Sequence, residues 1–267
     1  MGHDRRATVA RFAVAAQMAV GGTVTLDAEQ ANHIRVLRLK VGSRVGVANG
    51  IGTLASGELR QIGRSSAVVD VDEVWTVPRP MGIHMLVPVA DRDRMLLLAE
   101  KCTELQATSW QPVQWRRSAS VSPRGTGSAF EARLVARMRS ALTQCGGAWL
   151  PEVRPAMSLG DALASLPATE RFVLDRGGEP LARLFTPALS EIGVAVGPEG
   201  GIEPDEHRTL DDAGFVRASI GDSILRFETA GIAALAVLRA MAASRGRPPA
   251  LGAPSQHADS AEFADDL

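Results

Sequence analysis

Two short stretches near the carboxyl end of the chain hold the residues best suited to chemistry. The first is Gly197-Pro198-Glu199-Gly200-Gly201; the second runs from Ile220 to Arg226, with Glu228 and Thr229 just behind it. Three glycines in five residues allow positive φ and let the main chain approach a ligand closely. The polar equipment of a site built here is therefore mostly backbone N–H and C=O, joined by Glu199, Arg226, Glu228 and Thr229. A carboxylate can accept a proton, and a guanidinium can face a developing anion. No G-x-G-x-x-G follows an expected strand and no G-x-x-x-x-G-K-[ST] occurs, so dinucleotide and P-loop sites are poor readings. Taken alone, the glycine run also fits a plain tight turn.

The elements around these stretches give them a common place. Ile192 to Val196 is a β-branched apolar run of the kind a buried strand needs. Pro204, followed by Asp205 and Glu206, suits the first turn of a helix. Phe215 to Ile220 reads as a second strand, and Asp222 or Ser223 can cap a long helix that begins SILRFETAG. Two strands thus each end in a glycine turn and then a helix. Ligands of open α/β sheets sit at the carboxyl ends of strands, so the two turns are expected to form one pocket.

Upstream, residues 8–77 read as short β segments with one helical piece, Ala28 to Arg35, after Asp27, which suggests a small barrel or sandwich. Pro78-Arg79-Pro80 breaks strand and helix alike and marks a domain boundary. Beyond it, Ile83–Val89, Trp110–Val113 and Arg171–Asp175 alternate with the helical stretches 91–105, 130–145 and 158–166, the pattern of a largely parallel sheet. The expected division is 1–77, 78–245 and a tail at 246–267 whose polar, Pro-containing composition reads as disordered. Residues 121–129, VSPRGTGSA, read as an exposed loop. The helix from Ser223 to Arg245 is apolar nearly all round and needs cover on more than one side, from a second subunit or from its own domain.

Composition narrows the class. In 267 residues, 45% are hydrophobic and 22% charged, as in a soluble globular protein. No long uncharged apolar run suggests a membrane span, the amino terminus lacks a signal-like apolar core, and two cysteines make neither a disulfide framework nor a metal site. The cytoplasm is the natural compartment. A net charge of −1 gives no global sign of nucleic-acid binding, but seven Lys or Arg stand against two acids between Lys101 and Arg139. The bias toward arginine suits phosphate contacts; a GC-rich genome would produce it as well.

VGPEGGIEPDE followed by SIGDSILRFETAGIAAL closely resembles the carboxyl-terminal signature of the RsmE family, the uracil-N3 methyltransferases of small-subunit ribosomal RNA in the SPOUT class. Only Ile220 and Phe227 depart from that signature. ANHIRVLRLKVGSRV and the pair Arg11-Phe12 resemble the family's amino-terminal PUA-like barrel, and KCTELQATSWQPVQWRRS resembles a middle segment, with Gln106 in place of glycine. The match is weakest at 134–147, where Leu134, Ser140, Thr143 and Gly147 replace residues usual in the family.

The resemblance implies an α/β fold in which a PUA-like barrel precedes a SPOUT domain with a carboxyl-terminal trefoil knot. It implies a homodimer through the last helix, S-adenosylmethionine as cofactor, and 16S ribosomal RNA, within the small subunit, as partner. Leu174, Gly177, Val196, Gly197, Pro198, Glu199, Gly200, Gly201, Ile220, Gly221, Ile224 and Leu225 would hold the cofactor. Arg11, Arg35, Arg38, Lys40, Arg117, Arg133 and Arg137 would contact RNA, and no metal is implied. Uracil N3 carries a proton at neutral pH; Glu199 could accept it, or Arg226 could stabilise the anion. A SPOUT enzyme acting on another RNA position, or an inactive RNA-binding homologue with a degraded 134–147 segment, remain alternatives. If the basic helix contacts phosphates, Arg133→Ala combined with Arg137→Ala will weaken RNA binding and flatten its salt dependence. An unchanged salt slope would assign both arginines to an ordinary solvated face.

Overall fold

The computed structural model describes residues 8–118, 125–186 and 190–244. The expectations for 121–124 of the loop and for the tail at 246–267 concern residues outside that set. The chain begins with β1 (Arg11–Ala13), β2 (Thr23–Leu26), α1 (Ala28–Val36), β3 (Arg44–Ala48), β4 (Thr53–Ile62) and β5 (Ala67–Thr76). The five strands form one sheet in the order β1-β3-β4-β5-β2, antiparallel except for β1 against β3. Alternate residues of these strands face a core that includes Phe12, Leu26, Ile34 and Leu59. Asp27 starts α1 through a capping box: its carboxylate accepts the Gln30 N–H at 2.9 Å, and the Gln30 side chain accepts the Asp27 N–H at 3.0 Å.

The second part comprises β6 (Gly82–Pro88), α2 (Arg92–Glu104), β7 (Ser109–Gln114), α3 (Ser128–Cys145), β8 (Glu152–Val153), β9 (Met157–Ser158) and α4 (Leu159–Ala164). It continues with β10 (Glu170–Pro180), α5 (Leu181–Leu184), β11 (Glu191–Ala195), α6 (Pro204–Asp212), β12 (Val216–Ser219) and α7 (Phe227–Ala243). Its strands pair in parallel in the order β12-β10-β11-β6-β7-β8, with β9 also on β7. Every residue of β6 is buried, because helices cover both faces of the sheet. Apolar residues of α2, α3 and α7 share one core with Met85 and Val194, while those of α4 and α6 share another with Leu86 and Ala195. No helix among the described residues is long and apolar enough to cross a membrane.

Two expectations about element ends are corrected. The last helix starts at Phe227, not at Ser223: Arg226, its N-cap, is extended at φ −65° and ψ 154°, so no helix continues through it, and residues 221–225 form an exposed turn. The strand expected to stop at Asp175 runs on to Pro180. Leu174 and Glu179 both face Ala218, so residues 175–178 bulge out of the ladder and the strand resumes beyond them. Gly178 is required there, since a Cβ would lie 2.5 Å from the Arg217 main chain.

The amino-terminal sheet is tied to the second sheet by a small apolar cluster in which Ala48 and Leu54 meet Leu142 and Ala148. The Arg11 guanidinium donates to the Gly146 carbonyl, and the Trp149 indole N–H donates to the Val77 carbonyl at 3.1 Å.

The end of α2 explains one departure from the resembling family. Ala107 N–H bonds the Cys102 carbonyl at 2.7 Å and Gln106 N–H bonds Thr103 at 3.1 Å, a Schellman closure that places Gln106 at φ 59°. A left-handed conformation costs a non-glycine residue about 1–2 kcal/mol, so the family's glycine belongs there for backbone reasons. Gln106→Gly is therefore expected to raise the unfolding free energy by about 1 kcal/mol, read as a higher urea midpoint at constant m-value. A lower midpoint would show that Gln106 contributes through its side chain instead.

Candidate active site

Three strand ends emerge side by side. Val173 of β10 lies opposite Ala195 of β11 and Arg217 of β12, and Ala195 in turn lies opposite Leu86 of β6. All are parallel, so the bulge at 175–178, the turn at 197–201 and the turn at 220–226 leave the sheet from one edge. β11 and β12 flank β10, which puts the last two turns about 10 Å apart at their roots. Leu174 and Ile220 pack on the same core cluster as Val196. Gly200 and Leu225 therefore do not lie on opposite sides of the molecule.

The 197–201 turn is held from outside by arginines. Gly201 adopts φ 79°, and its N–H closes the turn on the Pro198 carbonyl at 2.9 Å. Arg117 donates to the Gly200 carbonyl at 2.8 Å and to Glu203 at 2.6 Å. A Cβ on Gly200 would stand 2.9 Å from the Cβ of Arg117, so only glycine lets the two chains approach this closely. Arg94, in the first turn of α2, pairs with Glu199. Glu206 is buried and accepts the Arg116 N–H and the Glu203 N–H, each at 2.9 Å.

The second turn contrasts with the first. Among the described residues, Gly221 to Leu225 enter no backbone–backbone hydrogen bond outside helix and strand ladders, and a Cβ on Gly221 would meet nothing within 4 Å. Ile224 is 84% and Leu225 37% exposed. This turn presents unengaged main-chain groups and apolar side chains together, as a cradle for a partly apolar nucleoside would. Arg226 is exposed, with no side-chain partner among the described residues. Glu228 is 6% exposed, and its Oε2 is buried without a hydrogen-bond donor among the described residues.

The residues expected to contact RNA fall into two groups. Arg11, Arg117 and Arg137 are engaged within the chain, Arg137 with Glu100 at 3.0 Å. Arg35 donates to the carbonyls of Gly63 and Arg64 at 3.2 and 3.1 Å. Arg38, Lys40 and Arg133 are exposed, with no side-chain partner among the described residues. Lys101 is gripped by Glu104 and Glu100, whose hydrogen bonds raise its pKa above the ordinary lysine value. A cleft of about 850 Å³ between α1 and α3 is lined by Asp27, Glu29 and Glu131 as well as Arg139 and His33. It holds none of the glycine-turn residues, and its carboxylates do not suit a polyanion. In the divergent 134–147 segment, Leu134 is fully buried in the core, so α3 packs there with leucine.

Sequence reasoning missed Arg94 and the clamping contacts of Arg117. The partners of Arg117 lie 83 and 86 residues away, and nothing local signals them.

Fold and site together define a class. The chain matches the family model of the RNA methyltransferase domain over residues 77–239 and that of the RNA methyltransferase PUA domain over residues 26–72. It belongs to the RNA methyltransferase family that these describe.

More particularly, it is similar to the ribosomal RNA small subunit methyltransferase E of Mycobacterium bovis, 29% identical over 228 residues that cover 80% of this chain and 85% of that one. The Synechocystis protein of the same name is 29% identical, covering 86% and 77%. The crystal structure of the Neisseria gonorrhoeae protein of that name, bound to S-adenosyl methionine, superposes with a TM-score of 0.75 at 27% identity, covering 87% and 97%. A Legionella pneumophila protein with bound SAM shares the fold at a TM-score of 0.78 and 24% identity, covering 88% and 98%.

If the arginine clamp sets the turn, Arg117→Met will speed amide exchange at Gly201 and Ile202. Global stability should change by less than about 1 kcal/mol, because the pair is partly exposed. Unaltered exchange there would show that the turn holds itself.

Proposed function

We infer that this chain transfers a methyl group from S-adenosylmethionine to N3 of a uridine in small-subunit ribosomal RNA. The observation that carries this reading is the convergence of three strand ends on one edge, within a chain of the RNA methyltransferase family. The residues present fit the cofactor. The 221–225 turn offers main-chain donors and acceptors, Leu174, Val196, Ile220 and Leu225 offer apolar flanks, and Gly197, Gly200 and Gly201 leave the backbone bare. When bound, S-adenosylmethionine supplies a methyl group on a sulfonium already activated for displacement.

The chain's own work is placement and proton handling. Uracil N3 must lose its proton as the new N–C bond forms. Arg94 holds Glu199 at the rim of the site, from which the carboxylate accepts that proton. Arg226, exposed at the head of α7, faces the negative charge that spreads over the uracil carbonyls. The base reaches this rim only after unstacking, and the exposed Arg38, Lys40 and Arg133 hold the surrounding phosphates.

Two further features belong to this reading. β12 lies beyond β10 while β11 lies inside it, so the segment after β11 must cross β10, which supports a carboxyl-terminal trefoil knot. α7 carries half-buried Ile232, Ala236 and Val237, of which Ile232 and Val237 border the core and keep part of their surface open. That apolar strip supports a homodimer in which a second copy of the helix covers it.

The test has two arms. Calorimetry should show S-adenosylmethionine binding to the wild-type chain, with affinity lost in Gly221→Val, whose branched side chain would enter the open turn. Mapping of N3-methyluridine in 16S ribosomal RNA should show the mark absent when the gene is deleted and restored by the wild-type gene. Binding without loss of the mark would redirect the enzyme to another RNA position; no binding even at millimolar ligand would favour an inactive RNA-binding protein.

A further inference from the structure

Glu228 is an unusual residue to find buried. It stands in the first turn of α7, 6% exposed, and its Oε2 has no hydrogen-bond donor among the described residues. A buried carboxylate oxygen without a donor is costly, so a cation or donor beyond the described residues is called for. The amino end of a helix tolerates the negative charge but does not satisfy this oxygen.

Packing fixes where Glu228 lies. Gly231 shares its helix face, three residues on, and a Cβ there would meet Leu98 of α2 and Met85 of β6. At the other end of α7, Arg239 donates to the Leu105 carbonyl just past α2, at 2.9 Å. The two helices therefore run parallel and in step. Glu228, one turn before Gly231, comes level with the first turn of α2, where Arg94 grips Glu199. It is buried near the head of α2, on the side of α7 that packs toward β6.

We propose that Glu228 receives the α-ammonium group of the methionine half of S-adenosylmethionine; the assignment rests on the methyltransferase reading above. A buried anion selects a cation able to donate. The sulfonium is cationic but has no proton to give, and the adenine amino group and ribose hydroxyls are neutral groups that main-chain carbonyls can serve. The ammonium alone is both charged and a donor. The proton on uracil N3 is a poorer match: a base carried by RNA arrives from solvent, where Glu199 and Arg226 are exposed, whereas Glu228 is buried. Because the ammonium keeps its charge throughout the reaction, the contact contributes equally to ground and transition states.

The experiment titrates the full chain and its Glu228→Gln variant with S-adenosylmethionine, S-adenosylhomocysteine and 5′-methylthioadenosine. The third ligand lacks the amino-acid tail. The variant should bind the first two about 10- to 100-fold more weakly, by the same factor, and the third as well as wild type does. At saturating cofactor its kcat should stay within about threefold of wild type, and without ligand it should melt no lower. Equal affinities in variant and wild type, or a loss shared by methylthioadenosine, would overturn the assignment. So would a loss confined to S-adenosylmethionine, which points to the sulfonium, or a collapse of kcat at unchanged affinity, which points to a base. If the glutamine variant does not fold, Glu228→Asp, which keeps the charge but withdraws it by one methylene, is read by the same criteria. A wild-type chain that binds none of the three ligands overturns the reading of the site, and this assignment with it. Binding by wild type without the selective loss overturns the assignment alone.

Discussion

The parallel pairing of β10 with β11 on one side and β12 on the other is the constraint on which the site depends. Parallel strands all release the chain at the same edge, and three adjacent strands release it within about 10 Å. Segments more than forty residues apart in sequence are thereby delivered to one place: the bulge at 175–178 and the turns at 197–201 and 220–226. An antiparallel β12 would carry Gly221 and Arg226 to the far edge. The helices that bury both faces of the sheet are what make such pairing stable.

Within that frame the two glycine turns differ in how they are held. The first is rigidified by charges from elsewhere: Arg94 on α2, Arg117 after β7, and Glu206, which joins the head of α6 to the Arg116 main chain. The second is bare, with apolar side chains and main-chain groups turned outward. A fixed wall facing an adaptable one suits a site that must grip a small cofactor and then admit a nucleotide. Arg117 illustrates how a basic residue resembling a phosphate contact can serve the architecture of the pocket.

Much of this was legible beforehand, for reasons particular to each stretch. Ile192–Val196 reads as buried strand because both faces of a covered parallel strand are apolar, and Asp27 reads as a helix start because its capping box is local in sequence. The start of α7 was misplaced because Ser223, Ile224 and Leu225 look helical by type. The turn they form is decided by Arg226, whose extended backbone no propensity reveals. The strand reads as ending at Asp175 because Asp175-Arg176-Gly177-Gly178 has turn chemistry, and only the neighbouring strand draws Glu179 and Pro180 back into the ladder.

From the sequence by itself came the α/β character of the chain, its PUA-like beginning and the two glycine turns, along with the family signature that joins them. Those are properties of local pattern: period, capping, breaker residues and short motifs are written in consecutive positions. The partners of Arg94, Arg117 and Arg239, the left-handed backbone at Gln106 and the burial of Glu228 came only with tertiary structure. Each depends on which distant segments share a neighbourhood, and a carboxylate seven residues past Gly221 reads the same whether solvent or a packed helix surrounds it.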